Sequence, residues 1–399
     1  MINRTYRFPY IFFLLTLLVV SSRSLLELML PRQVAYTIQF VFLVVFALYF
    51  TRILYIRKIY YILFYTAFLL IICSLLYTTV YSSISFKSSF SVVVVNLLNI
   101  YYLTLALIFL ENIDRFKIDL NKSVNILRFL SLSIIITSIM QVYGLIDFTG
   151  SFAFQDNKRL TGAFGSMQHY SIFLSVISFL VLAVLYKRFS FLDLIIFIFL
   201  LYFLAISLTR IGYIIFIVSL LGYFILTFLS EDYNKIAKFI PYLIFFAFGM
   251  LLFYYIYPDF FESFLGRILS INLEDYSNQL RVQHWISGFN FYFEGPILIG
   301  VNTGFASQIP SLIFSENSFH FESAVIQYLI NFGFIFFVLF LFIFYKWFSI
   351  LKYGCFTKGL PLGMFVALFI YMYNEVAPIF ILFLLISLIS SSIEKSSSR

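Results

Sequence analysis

The side chains of this sequence best suited to chemistry are three arginines and a histidine–carboxylate pair. Arg159, Arg210 and Arg281 stand in three separate polar interruptions of an otherwise apolar chain. A guanidinium stays charged and grips phosphate through two parallel hydrogen bonds, so the set suits a diphosphate held at one surface. Plainer roles stay open for each. Arg210 suits a helix-end charge snorkelling to headgroups, Arg159 a solvated loop charge beside Lys158, and Arg281 a helix-surface ion pair.

Glu322 and His320 lie in Ser318-Phe319-His320-Phe321-Glu322-Ser323, where a polar segment runs back into an apolar one. A carboxylate or imidazole at such a boundary has the reach to take a proton from a sugar hydroxyl, and burial raises a carboxyl pKa toward general-base range. The alternatives are Glu322 as the N-cap of the next helix and His320 as an interfacial anchor.

Supporting residues surround these. The segment 275–294 is predicted to be helical, capped by Asp275 or Ser277 and ended by Gly295-Pro296. Arg281, Trp285 and Gly288 then share one face at spacings of four and three, a cation, an aromatic plate and a gap suited to a sugar phosphate. Gly300 and Gly304 allow backbone to approach a ligand closely. Lys158 and His169 are weaker binding candidates; His169 begins a span and His284 neighbours Trp285, so interfacial anchoring accounts for either histidine. Asn374 and Glu375 line a cavity or make a turn.

No P-loop, dinucleotide-glycine or His-Glu-x-x-His pattern occurs, and three histidines offer no Ser-His-Asp arrangement. No paired aspartates suggest a metal-dependent nucleotide-sugar transferase. Neither a metal nor a cofactor is expected.

The elements that position these residues follow from composition. The chain has 399 residues, 62% of them hydrophobic and 11% charged, with mean hydropathy +1.01. A soluble domain carries roughly 25% charged residues, so this is an integral membrane protein, all-α. Apolar stretches fall at 8–21, 34–50, 60–80, 91–110, 126–146, 170–186, 191–208, 211–229, 239–257 and 323–345. The stretch 360–391 divides at Asn374 and Glu375 into two short spans, for about twelve transmembrane helices in all. One membrane domain covers 1–399, with one large extracytoplasmic loop at 258–321. The first span reads as a retained signal anchor. Cys73 within a span and Cys355 in a basic loop support no disulfide framework or metal cluster.

With the N-terminus in the cytoplasm, only Arg23, Arg32, Lys87, Lys158, Arg159, Arg210, Arg267 and Arg281 of 26 basic residues fall outside. That asymmetry obeys the positive-inside rule, and the +8 charge reflects topology, not nucleic-acid binding. The candidate residues therefore gather on the extracytoplasmic face.

In order and placement these pieces resemble the O-antigen polymerase and ligase superfamily, the Wzy-type polysaccharide polymerases and lipopolysaccharide ligases of bacteria. The likeness runs over 158–340. It rests on Arg159-Leu160-Thr161-Gly162-Ala163-Phe164-Gly165, on Leu208-Thr209-Arg210, on Arg281…Trp285…Pro296…Gly300…Gly304-Phe305, and on Glu322-Ser323 before Gly333. The resemblance implies a metal-independent, multi-pass glycosyltransferase of the bacterial cytoplasmic (inner) membrane, working on undecaprenyl-diphosphate-linked oligosaccharide at its outer face. The product is O-antigen, capsule or exopolysaccharide. It implies that Arg159, Arg210 and Arg281 hold the diphosphate and that Glu322 or His320 activates the acceptor hydroxyl. A flippase and a chain-length regulator would be its partners in the cell envelope. Ligases carry a His-Asn pair where this chain has Glu322-Ser323, which leans the reading toward a polymerase. The alternatives are a ligase using the same donor and a flippase or exporter of lipid-linked glycan. A shape-and-division-type peptidoglycan polymerase lacks its aspartate signature here.

Overall fold

The computed structural model describes residues 6–7, 9–21, 116–146, 160–162, 167–207, 209–229, 276–298, 300, 323–350 and 359–370. It also describes isolated positions between 26 and 112, between 240 and 258, and between 385 and 393. Helix dominates. In chain order the elements are β1 (Tyr6–Arg7), α1 (Tyr10–Ser21), β2 (Phe116–Lys117), α2 (Leu120–Val142), α3 (Met167–Lys187) and α4 (Phe191–Ile206). They continue with α5 (Arg210–Leu229), α6 (Tyr276–Glu294), α7 (Ala324–Ile350) and α8 (Gly359–Ile370). Among the described residues three helices, Leu120–Val142, Gln168–Lys187 and Arg210–Leu229, are long and apolar enough to cross a membrane. The remaining expected spans between 34 and 110 and at 239–257 lie largely outside the described residues.

The core is built around α3. Its sequence is apolar on every side, which suits a helix surrounded by protein, and almost every residue from Tyr170 to Leu185 is buried. Helices α2, α4 and α5 pack on it. The serines that interrupt its apolar run settle their hydroxyls on helix carbonyls: Ser171 on Gln168 at 3.0 Å and Ser178 on Leu174 at 2.6 Å, while Ser175 shares its single proton between Ser171 at 2.8 Å and a carbonyl of α5. A buried hydroxyl without such a partner costs free energy, and lipid offers none.

One end of the bundle is fixed by charge. Arg128 of α2 makes a two-point pair with Asp193 of α4, Nε to Oδ1 at 2.6 Å and Nη2 to Oδ2 at 2.8 Å. Ser190, at the N-cap position of α4, makes no capping bond and accepts instead from Arg128 at 3.2 Å. Asp119 caps α2 by accepting from the amides of Asn121 and Lys122, and Tyr10 of α1 hydrogen-bonds to the Asp119 backbone. Next to it β1 and β2 pair in parallel, Tyr6 with Phe116 and Arg7 with Lys117.

The remaining large contact joins α5 to α8. Gly359 and Gly363, one helical turn apart, lie against the backbone of α5. A Cβ on Gly359 would meet the Ser219 carbonyl, and one on Gly363 would lie 2.6 Å from the Ile215 carbonyl. Small residues spaced this way let apolar helices approach backbone to backbone.

The helix starts differ from the sequence expectation in two instructive places. The span expected at 126–146 is the helix Leu120–Val142, because the charges at its start are matched by partners from other helices. Helix α6 begins at Tyr276, so Ser277 lies inside it and cannot be its cap.

Arg128→Ala should destabilise the bundle by about 3–5 kcal/mol, since it strands a nearly buried carboxylate. The double variant Arg128→Met/Asp193→Leu should recover most of that loss. Thermal unfolding of detergent-solubilised protein measures both; a double variant as weak as the single one would contradict the account.

Candidate functional site

The two segments that carry Arg159 and Arg210 in sequence converge on one stretch of α3. Residues Leu160, Thr161 and Gly162 are described, whereas Lys158 and Arg159 lie outside the described residues. The side-chain oxygen of Gln141, at the end of α2, accepts from the Thr161 amide at 3.1 Å and from the Gly162 amide at 2.8 Å. Its side-chain amide donates to Thr161 Oγ1 at 3.0 Å. Gly162 has φ +50, and a Cβ there would lie 2.5 Å from Cδ2 of Tyr170. Both the left-handed conformation and the missing space call for glycine. Tyr170 is wholly buried, its hydroxyl 2.5 Å from Ser138 Oγ of α2.

One turn further along α3, Gly212 of α5 seats against Ser171 and Ser175. A Cβ on Gly212 would lie 3.0 Å from Ser175 Oγ and 3.1 Å from Ser171 Cβ, and Ser175 Oγ donates to the Gly212 carbonyl at 2.6 Å. Arg210 is the first residue of α5 and half-buried. The turn before it is closed by Thr209 Oγ1 on the Ser207 carbonyl at 2.9 Å and by Tyr213 hydroxyl on the Ala205 carbonyl at 2.7 Å. His169, partly exposed, and Arg210 each stand two positions before the contacting pair Ser171 and Gly212, so both belong to the same end of α3 and α5. An arginine at a helix N-terminus adds its charge to the positive end of the macrodipole, which favours an anion there.

Trp285 and Gly300 belong to a second assembly. The face of α6 that carries Trp285 packs on the start of α7, where Tyr292, Val325, Ile326, Leu329 and Ile330 form a buried apolar cluster with Trp285 and Phe289 against it. Gly288 is buried on that side too, and so is His284, which is only 5% exposed and no surface anchor. The backbone of Arg281 is helical; its side chain lies outside the described residues. Beyond α6 the turn folds back. The Ile297 carbonyl accepts from the Tyr292 hydroxyl at 3.0 Å and from the Phe334 amide at 2.9 Å. Phe334 follows Gly333, whose φ of 74 breaks α7 and frees that amide from the helix ladder. The Gly300 amide donates to the Pro296 carbonyl at 2.8 Å, closing the turn on itself.

Glu322, His320 and Gly304 lie outside the described residues, as do Asn374 and Glu375. The adjoining helix settles one alternative. α7 begins at Ala324, and Ser323 holds the N-cap position with its hydroxyl 3.4 Å from the Ile326 amide. Capping by Glu322 is therefore corrected to Ser323. Among the described residues no group of three or more His, Cys, Asp or Glu is arranged to hold a metal. No protein-family model matches the chain, and no curated protein matches it.

Burial pushes the Tyr292 phenol above the ordinary tyrosine value. Tyr292→Phe should cost about 0.5 kcal/mol, the low end for one hydrogen bond, because Ile297 keeps its bond from Phe334. With the folded-state pKa raised, the wild-type advantage is complete below the unfolded value of about 10. It fades as pH rises through the folded-state value. Melting curves of the two proteins at pH 8 and pH 11 test this; an undiminished gap at pH 11 would contradict it.

Proposed function

We propose that this chain is a multi-pass membrane glycosyltransferase that polymerises undecaprenyl-diphosphate-linked oligosaccharide repeat units into surface polysaccharide. The observation that carries the reading is the convergence on α3 of Leu160–Gly162, which directly follow Arg159, and of the α5 N-terminus opened by Arg210. A diphosphate leaving group needs its growing charge neutralised more than it needs covalent help, and preorganised cations supply that. The order of the motifs along the chain adds the resemblance to Wzy-type polymerases described above.

In this reading about twelve spans form one membrane domain over 1–399, and the loop at 258–321 lies outside the cytoplasm. The opposite end of the described bundle carries Lys117, Lys122, Lys187 and Arg188, a basic end that fits the cytoplasmic side. Arg159, Arg210 and Arg281 hold the donor diphosphate, with Lys158 and His169 beside them. Gly300 and Gly304 serve the glycan, and Trp285, packed against the α7 cluster, supports that surface from behind. Glu322, or His320, takes the proton from the acceptor hydroxyl, which attacks the anomeric carbon as undecaprenyl diphosphate departs. Direct displacement inverts the linkage.

The size distribution of surface and lipid-linked glycan in a deletion strain tests this. Wild-type chain should restore long polymer, whereas Arg210→Ala and Arg281→Ala, present in the membrane at wild-type levels, should leave mostly single repeat units. Each should slow transfer about 10²–10³-fold. Full-length chains stranded on the lipid carrier would identify a ligase instead, and units held at the cytoplasmic face a flippase.

A further inference from the structure

We infer that Gln141 is a positioning residue that fixes the segment behind Arg159; the inference rests on the diphosphate-binding reading of that arginine. One side chain at the end of an apolar helix makes three hydrogen bonds to two consecutive residues, Thr161 and Gly162, at 2.8 to 3.1 Å. Ordinary loop closure does not require this. The same residues are held from the other side, where the Tyr170 ring occupies the place of a Gly162 side chain and Tyr170 is itself tied to Ser138. Leu160 and Thr161 are buried, at 4% and 5% exposure, so the anchor excludes water that would compete for these bonds.

The physical consequence is entropic. Holding a flexible backbone in one conformation costs free energy at every residue. A guanidinium carried next to an anchored segment binds phosphate without ordering that backbone at the moment of binding. Gln141 suits the task because its oxygen accepts two amides while its nitrogen donates to a hydroxyl. A glutamate keeps the accepting oxygen, and Thr161 turns its hydroxyl to donate. A methionine of similar shape keeps neither.

The test uses the full chain in lipid nanodiscs and in cells. In a Cys73→Ser/Cys355→Ser background, Leu160→Cys, at a position buried beside the anchored amides, reports opening of the segment by its labelling rate with a maleimide. Gln141→Met should speed labelling about tenfold, as expected for losing one or two net hydrogen bonds. In cells it should shorten glycan chains, while Gln141→Glu restores both slow labelling and chain length. Unchanged labelling in Gln141→Met would overturn the anchor itself. Fast labelling with full-length chains, in a strain where Arg159→Ala gives short ones, would overturn the positioning role. If Arg159→Ala also leaves chains full length, the diphosphate reading has failed, and the labelling result alone then decides whether Gln141 anchors the segment.

Discussion

Ser175 places its hydroxyl 2.6 Å from the Gly212 carbonyl, and the absent side chain of Gly212 lets Ser171 and Leu204 close in around it. A hydrogen bond between helices in a bilayer contributes only about 0.6 kcal/mol on average. Its energy is therefore secondary to the distance it permits. With α3 and α5 this close, α4 needs only its 16 residues and a three-residue connection, 207–209, to join them. The start of α5 is then held against the stretch Ser171–Ser175 near the start of α3, and everything offered to a ligand at that end inherits this placement.

The opposite end is held by different physics. Arg128 and Asp193 meet where α2 and α4 begin, and the carboxylate is almost fully removed from solvent. Such a pair is weak support in net energy but severe when halved. It therefore specifies register more than it adds stability. The bundle has a polar, hydrogen-bonded end at Gln141 and a charged end at Asp193, joined by an apolar middle in which Ser131 and Ser178 bond their own helices while Ser138 and Ser175 reach a neighbouring one.

Much of this was legible in residue types. The apolar stretches at 170–186, 191–208 and 211–229 match helices to within a few residues, because packing and membrane burial demand the same apolar pattern. The helix over 275–294 was equally readable from its Gly295-Pro296 stop. Gln141, Tyr170 and Ser138 escape a reading by residue type. Averaged hydropathy erases a lone glutamine near the end of an apolar run, although Ser131, Ser138 and Gln141 lie at helical spacings along α2. The Arg128 partner escaped for another reason: Asp193 is distant in sequence, and no local pattern announces it. Trp285 was readable as an aromatic on one helix face, but only the partner helix reveals that this face meets Val325, Ile326 and Ile330.

The short parallel ladder between Tyr6–Arg7 and Phe116–Lys117 carries a consequence for biogenesis. Tyr10 and the Asp119 cap of α2 are 109 residues apart, so α1 cannot reach its final seat until the ribosome has passed that point. At ~5–20 residues per second the delay is roughly 5–20 s. Through that interval α1 must wait without its eventual neighbour, and its sequence from Ile11 to Val20, apolar except for Thr16, suits it to wait in apolar surroundings. Helix α1 waits while the intervening chain is made, and it can dock before α3 to α8 are synthesised.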